Sequence, residues 1–124
     1  MDNAPRYPSI RRLQLDAFVT LGAWLTLVVG IGIFIAAFSG VAVSNQTFVS
    51  LFVIFLVLVA SHAILASSHK CPTCHKSPTT QSFSEAHSAA VGNSGVQGWA
   101  GVTFAVLLGK QFSCIHCGSR FESR

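Results

Sequence analysis

The stretch that decides the fold is AFVTLGAWLTLVVGIGIFIAAF, residues 17–38, which contains no charged side chain. At about 1.5 Å per residue a helix of this length covers about 33 Å, enough to cross the hydrocarbon core of a bilayer. A second uncharged run, FVSLFVIFLVLVASHAILA, follows at residues 48–66. The two runs predict two transmembrane helices.

The composition agrees with a membrane protein. Hydrophobic residues make up 51% of the 124 residues, and charged residues only 10%. Soluble globular domains carry about 25% charged residues, so most of this surface is expected to face something other than water. The lipid bilayer is therefore the first predicted partner.

The distribution of basic residues predicts the topology. Residues 39–47, which join the two runs, are uncharged and short enough to require an antiparallel hairpin. Arginine and lysine occur only before the first run and after the second, at Arg6, Arg11, Arg12, Lys70, Lys76, Lys110, Arg120 and Arg124. The positive-inside rule then places both termini in the cytoplasm, and we expect an integral protein of a prokaryotic inner (plasma) membrane.

This topology divides the chain into three parts. Residues 1–16 form a cytoplasmic N-terminal segment, residues 17–66 the hairpin, and residues 67–124 a cytoplasmic C-terminal domain. The net charge of +4 is not concentrated in a basic run interleaved with aromatic residues, so nucleic-acid binding is not expected.

The C-terminal domain contains HKCPTCHK, residues 69–76, whose C-x-x-C-H order fits either covalent haem attachment or half of a four-cysteine metal site. The second half-site is CIHCGSRF, residues 114–121. Two C-x-x-C pairs suit tetrahedral Zn²⁺, and a closed set of four protein ligands leaves no position for water or substrate. Such a zinc site is structural, and these pairs use all four cysteines of the chain.

The two pairs resemble the rubredoxin-like knuckles of the zinc-ribbon class, over about residues 70–122. The resemblance implies a small β-rich zinc ribbon with Cys71, Cys74, Cys114 and Cys117 as metal ligands. The fold class expected is thus an α-helical transmembrane hairpin plus a zinc ribbon. His75 stands where the knuckle usually has glycine, and histidine is among the residues enriched at positive φ, so we expect a backbone role for it rather than ligation.

Haem and disulfides are disfavoured because both require an oxidising compartment, whereas the charge asymmetry places the cysteines in the cytoplasm. Haem would also leave Cys114 and Cys117 without a role, and the only methionine is Met1. Iron fits four thiolates as well as zinc does, and cysteine number does not separate them. Zinc is preferred because rubredoxins are typically acidic and this module is basic.

Several features outside the cysteines also support predictions. Residues 98–109, GWAGVTFAVLLG, are too short to span a bilayer and predict a helix ending at Gly109 or a buried strand. This insert is expected to pack on the membrane interface, the hairpin, a partner or the ribbon core. His62, near the end of the second run, is expected to contact headgroups or a carbonyl, and His87 to be a surface residue.

Two local structures are also predicted. A turn of helix is expected near residues 84–90. Gly32, Ala36 and Gly40 lie at four-residue spacing, and this stripe predicts close helix packing either within the hairpin or with another subunit.

These features predict the function only in outline. There is no paired carboxylate, nucleophile–base pair or phosphate loop, so neither an enzyme nor a small-molecule substrate is expected. We expect a membrane-anchored zinc-ribbon protein acting as an accessory, assembly or interaction subunit of a membrane protein complex, or as a homo-oligomer. The alternative is a membrane-tethered, rubredoxin-like iron electron carrier.

Overall fold

A computed structural model describes residues 4–81, 85–90, 96 and 98–124. Within these residues lie three α-helices and a two-stranded sheet: α1 (Ile10–Phe38), α2 (Asn45–Ser68), α3 (Gly98–Leu107), β1 (Phe112–Ser113) and β2 (Arg120–Phe121). A single 3₁₀ turn, Ser88–Ala90, lies where the turn of helix near residues 84–90 was expected. Residue 84 itself lies outside the described residues.

α1 and α2 form an antiparallel hairpin. α1 ends in a Schellman motif, in which Gly40 adopts a φ of +89° and Val41 donates its N–H to the carbonyl of Ala36. α2 begins four residues after Val41, and its N-cap residue Ser44 accepts a hydrogen bond from the backbone N–H of Thr47. Terminal carbonyl and N–H groups are thus satisfied locally, which allows a tight connection.

Both hairpin helices are long and apolar enough to cross a membrane, with mean hydropathies of 2.3 and 2.7 over their most apolar windows. Large apolar side chains such as Phe34, Phe52 and Ile64 are exposed along them. In the stripe predicted from small residues, a Cβ at Gly32 or Gly40 would meet no atom within 4 Å, so neither glycine packs against the hairpin partner. The prediction of two apolar helices of spanning length is confirmed.

The first turns of α1 differ from the rest of the helix. Ile10, Leu13, Ala17 and Thr20 are buried, because the C-terminal part of the chain packs against them. The residues of α1 that follow Thr20 number 18 and extend about 27 Å, still enough to reach across a hydrocarbon core. α1 therefore serves both as half of the hairpin and as part of the C-terminal core.

The sheet is a small hairpin completed by the N-terminal segment. β1 pairs with β2 in antiparallel register, and Arg6 forms a parallel bridge with Glu122. The Tyr7 ring then lies edge-on to Phe112 and Phe121, with centroid distances of 5.6 and 5.4 Å. One residue that precedes α1 in the chain and two that follow α2 thus build one aromatic core.

The apolar insert is helical. α3 ends in a second Schellman motif, with Gly109 at a φ of +64° and Lys110 bonded back to the carbonyl of Ala105. Val102 and Val106 are buried in the core beside the cysteines, while Trp99 stacks on Trp24 of α1 with the two ring planes 11° apart. α3 thus packs on both the core around the cysteines and the hairpin.

Candidate metal centre

The two cysteine pairs lie on two turns with the same backbone hydrogen bonds. In the first turn Cys71 donates its N–H to the carbonyl of Lys76 and accepts from the N–H of His75, each at 2.9 Å. In the second turn Cys114 makes the equivalent bonds with Ser119 and Gly118, also at 2.9 Å. The repeated C-x-x-C spacing therefore produces two knuckles of one geometry.

The fifth residue of each knuckle has a positive φ, +58° at His75 and +73° at Gly118. His75 is exposed, so its side chain meets no steric obstacle, and the only energetic cost is that of a positive φ at a residue other than glycine. At Gly118 a Cβ would lie 2.6 Å from Nδ1 of His87, which leaves room for glycine alone. The backbone role predicted for His75 agrees with this geometry, and His87 is exposed.

The four sulfur atoms form one cluster in which every pair lies within 4.8 Å. The sulfurs of Cys71 and Cys117 are 3.8 Å apart, and those of Cys74 and Cys114 are 3.7 Å apart. Four sulfurs at about 2.3 Å from a central Zn²⁺ would lie about 3.8 Å from one another. The residues therefore fit a tetrahedral metal ion with little rearrangement.

The thiols differ in their electrostatic surroundings. Burial raises the pKa of the Cys114 thiol well above its usual value. At Cys117 burial acts in the same direction, but hydrogen bonds with Ser119 and the neighbouring thiols outweigh it and lower the pKa to about 7. The Cys117 sulfur lies 3.3 Å from the Ser119 hydroxyl, which can donate to a thiolate. A metal ion would favour the ionised form of all four ligands.

Two further side chains belong to the surroundings of the cluster, Tyr7 from the N-terminal segment and His116 from within the second knuckle. Tyr7 is buried, its hydroxyl has no hydrogen-bond partner among the described residues, and burial followed by the charges of Cys71 and Cys114 raises its pKa. Nε2 of His116 lies 3.1 Å from the carbonyl oxygens of Ser77 and Thr80. His116 thus ties the second knuckle to the segment that follows the first.

A second polar cluster joins the knuckles to the hairpin. Asp16 is fully buried, and its two carboxylate oxygens accept hydrogen bonds from His62 Nδ1 at 2.7 Å, His69 Nε2 at 3.1 Å and Thr79 Oγ1 at 2.7 Å. Nδ1 of His62 also lies 3.0 Å from Thr20 Oγ1. We call these five residues the Asp16 cluster.

The cluster draws on four parts of the chain: α1, α2, the segment after α2 and the segment after the first knuckle. Burial lowers the pKa of His69. Its Nε2 lies next to a carboxylate oxygen, which can only accept, so Nε2 is the donor in this hydrogen bond. With three donors, the Asp16 carboxylate is compensated although it is removed from water. The cluster thus links the C-terminal region to the hairpin by hydrogen bonds.

Sequence reasoning missed this cluster. The first apolar run was predicted to begin directly after Asp16. His62 was predicted to contact headgroups or a carbonyl, and this second prediction is wrong, because Nδ1 of its ring is hydrogen-bonded to Asp16 and Thr20. The antiparallel hairpin contained the relevant information: residues near the start of α1 lie opposite residues near the end of α2. A carboxylate and a histidine at those two places are expected to meet.

Comparisons with known proteins do not assign the chain to a family. The chain matches no protein-family model, and neither curated proteins nor solved structures gave a significant match. What is established is therefore a cluster of four cysteines within metal-binding distance, beside two helices of membrane-spanning length. Chemically, such a cluster can hold one metal ion in a closed four-sulfur shell.

Proposed function

We propose that this protein is a membrane-anchored zinc-ribbon subunit that presents a metal-stabilised module at the cytoplasmic surface of a membrane protein complex. The observation that carries the proposal is the position of the cysteine cluster, which is built directly against the first turns of a helix that is long enough to span the bilayer. The hairpin anchors the protein, and the metal holds together a module with a small core.

The charge pattern supports the orientation. All eight lysine and arginine residues lie outside the uncharged runs, six beyond the ends of the hairpin helices and Arg11 and Arg12 in the first turn of α1, and the connecting loop has none. A cytoplasmic position also provides the reducing conditions in which four free thiols persist as metal ligands. The hairpin with both termini inside is thus consistent with the chemistry of the cluster.

The metal in this proposal is structural zinc. Four thiolates fill a tetrahedral shell, so the ion has no free position for substrate, and its contribution is to folding. The described part of the C-terminal region has two strands of two residues each and one ten-residue helix, which is little regular structure for a stable domain without a metal or another support.

An interaction role is supported by the outer face of α3. Phe104 of α3 is 47% exposed and Leu108, directly after the helix, is 61% exposed, and both lie outside the hairpin helices. Apolar side chains of this size outside the spans suit contact with a partner protein or a second copy of the chain. The same face suits contact with the bilayer surface.

A second candidate, the iron electron carrier, is favoured by one observation: the sulfurs of Cys74 and Cys117 belong to partly exposed residues, so the centre reaches the surface of the module. Electron transfer requires such an approach. The carrier predicts a coloured protein with a reversible redox couple, and zinc predicts neither.

The experiment that tests the role is isolation of the native protein from membranes under mild detergent, with and without prior crosslinking. The proposal predicts a larger assembly containing another membrane protein or further copies, which the double variant Phe104→Ser/Leu108→Ser weakens. Thr80→Ala, an exposed substitution elsewhere, serves as the control. A native protein that runs as a single chain in every detergent and lipid mixture would contradict the interaction role.

A further inference from the structure

A cavity of about 320 Å³ lies next to the Asp16 cluster, between α1, α2 and the residues after the first knuckle. Pockets that bind small molecules typically measure about 300–1,000 Å³ and combine apolar walls with a few polar groups. This cavity stands at the lower end of that range, so it suits a single ring system rather than a whole lipid.

The walls of the cavity are mainly aromatic and aliphatic. Trp24 and Trp99, with ring centroids 5.6 Å apart and planes 11° apart, contribute from α1 and α3. Leu27 and Phe55 contribute from the two hairpin helices. Flat indole and phenyl groups stack well on another flat ring.

The polar end of the cavity is formed by His62. Asp16 and Thr20 engage its Nδ1, at 2.7 and 3.0 Å, so this nitrogen carries the proton that the carboxylate accepts. Nε2 has no hydrogen bond to the described residues, and the side chain is 27% exposed where it lines the cavity. A buried carboxylate thus orients an imidazole whose other nitrogen is not engaged by any of the described residues.

We propose that the cavity binds a lipid-soluble quinol or quinone, with the ring against the tryptophans and one ring oxygen on Nε2 of His62. Neutral imidazole accepts a hydrogen bond at Nε2, which matches a quinol hydroxyl. Imidazolium donates from the same nitrogen, which matches a quinone carbonyl. One geometry therefore accommodates both forms of the ligand.

The path into the cavity rests on the proposed membrane insertion of the hairpin. Leu27 lies 11 residues beyond Asp16 on α1, which places it about 16 Å deeper along the helix. Phe55 precedes His62 by seven residues on α2, so it also lies deeper, by about 10 Å. The cavity thus runs from the polar cluster towards the bilayer, and the tail of the ligand leaves in that direction.

The test uses the full chain, loaded with its metal, in phosphatidylcholine nanodiscs, and a benzoquinone with a decyl tail, added in its oxidised and its reduced form. Trp24 and Trp99 are the only tryptophans of the chain, so quenching of their fluorescence reports occupancy directly. We expect saturable binding of one ligand per chain. His62→Leu is expected to weaken it by about tenfold, since a hydrogen bond in a desolvated site is lost.

Two further variants keep the test decisive. Ala23→Phe places a ring in the cavity while leaving the Asp16 cluster intact, and it is expected to abolish saturable quenching. Ser61→Ala, next to His62 but absent from the cavity wall, is the matched control and is expected to bind as the native chain does. Metal content and membrane retention after carbonate extraction are measured for each variant, so that a failure of insertion is distinguished from a failure of binding.

Three results would overturn the inference. The first is quenching that rises linearly with ligand and never saturates. The second is native binding by both His62→Leu and Ala23→Phe. The third is equal competition by decanol, which shares the tail and lacks the ring, because the cavity would then be a site for acyl chains.

Discussion

Replacement of Asp16 by alanine is expected to release the C-terminal region from the hairpin. The carboxylate accepts hydrogen bonds from Thr79 and His69, both buried, and from His62, which is partly exposed. Each buried donor left without an acceptor costs about 1–3 kcal/mol, so the two buried donors together cost about 2–6 kcal/mol. The His62 nitrogen can be hydrated and adds little.

Asparagine at the same position separates hydrogen bonding from charge. One amide oxygen can still accept from Thr79 and His69, while the amide N–H₂ faces His62, which accepts in its other tautomer. We therefore expect Asp16→Asn to cost less than Asp16→Ala, about 1–3 kcal/mol.

The assay is a denaturant titration in detergent, monitored by the fluorescence of Trp24 and Trp99. These two rings stack only while the C-terminal region is packed against the hairpin. Glu85→Ala is the matched control, because this residue is exposed and lies outside the Asp16 cluster; its effect is expected within about 0.5 kcal/mol. If Asp16→Ala were as stable as Glu85→Ala, the cluster would not hold the ribbon on the hairpin.

Three further predictions concern the cysteine site. Gly118→Ala is expected to weaken metal retention against a chelator, because position 118 has a positive φ and a Cβ there would meet His87. His75→Gly, at the exposed equivalent position, is expected to leave the stability of the folded protein unchanged or to raise it by about 1 kcal/mol. Equal losses for both variants would contradict the knuckle geometry. Tyr7→Phe is expected to leave thermal stability unchanged or raised, because it removes a buried hydroxyl without a partner, and a clear loss would show that this hydroxyl is bonded. Metal affinity is expected to fall on acidification, because the raised pKa of Cys114 lets protons compete with the metal for its sulfur. Competition with a chromophoric chelator between about pH 8 and 6 measures this affinity. An affinity independent of pH would be contrary to thiolate ligation.

The sequence predicted the features that depend on local chemistry. Apolar length predicted the two long helices, and C-x-x-C spacing predicted two turns that face each other. For residues 98–109 a helix ending at Gly109 was one of two alternatives, and the structure has the helix rather than the buried strand. Each of these follows from a few neighbouring residues and from backbone geometry that glycine, or histidine at position 75, can adopt.

Apart from the meeting of Asp16 and His62, which the antiparallel hairpin implies, the tertiary contacts could not be predicted from the sequence. The backbone N–H of Tyr7 bonds the carbonyl of Glu122, and this pairing brings the Tyr7 ring against Phe121. The two paired residues are separated by nearly the whole length of the chain, and no local pattern indicates that they are partners. The first span was predicted to begin directly after Asp16, because residues 17–38 contain no charged side chain. Its burial depends on three donors brought together by the hairpin and the ribbon.

The most direct test of the central claim is the metal content of untagged protein purified from native membranes, measured by elemental analysis with the absorption spectrum. A structural zinc ribbon predicts one zinc per chain, no visible colour, and loss of the metal when Cys71 or Cys114 is replaced by serine. Loss of this metal is expected to expose the C-terminal region to proteases. A red protein with one iron per chain and a reversible redox couple would contradict structural zinc, and a chain purified without metal would contradict the metal centre itself.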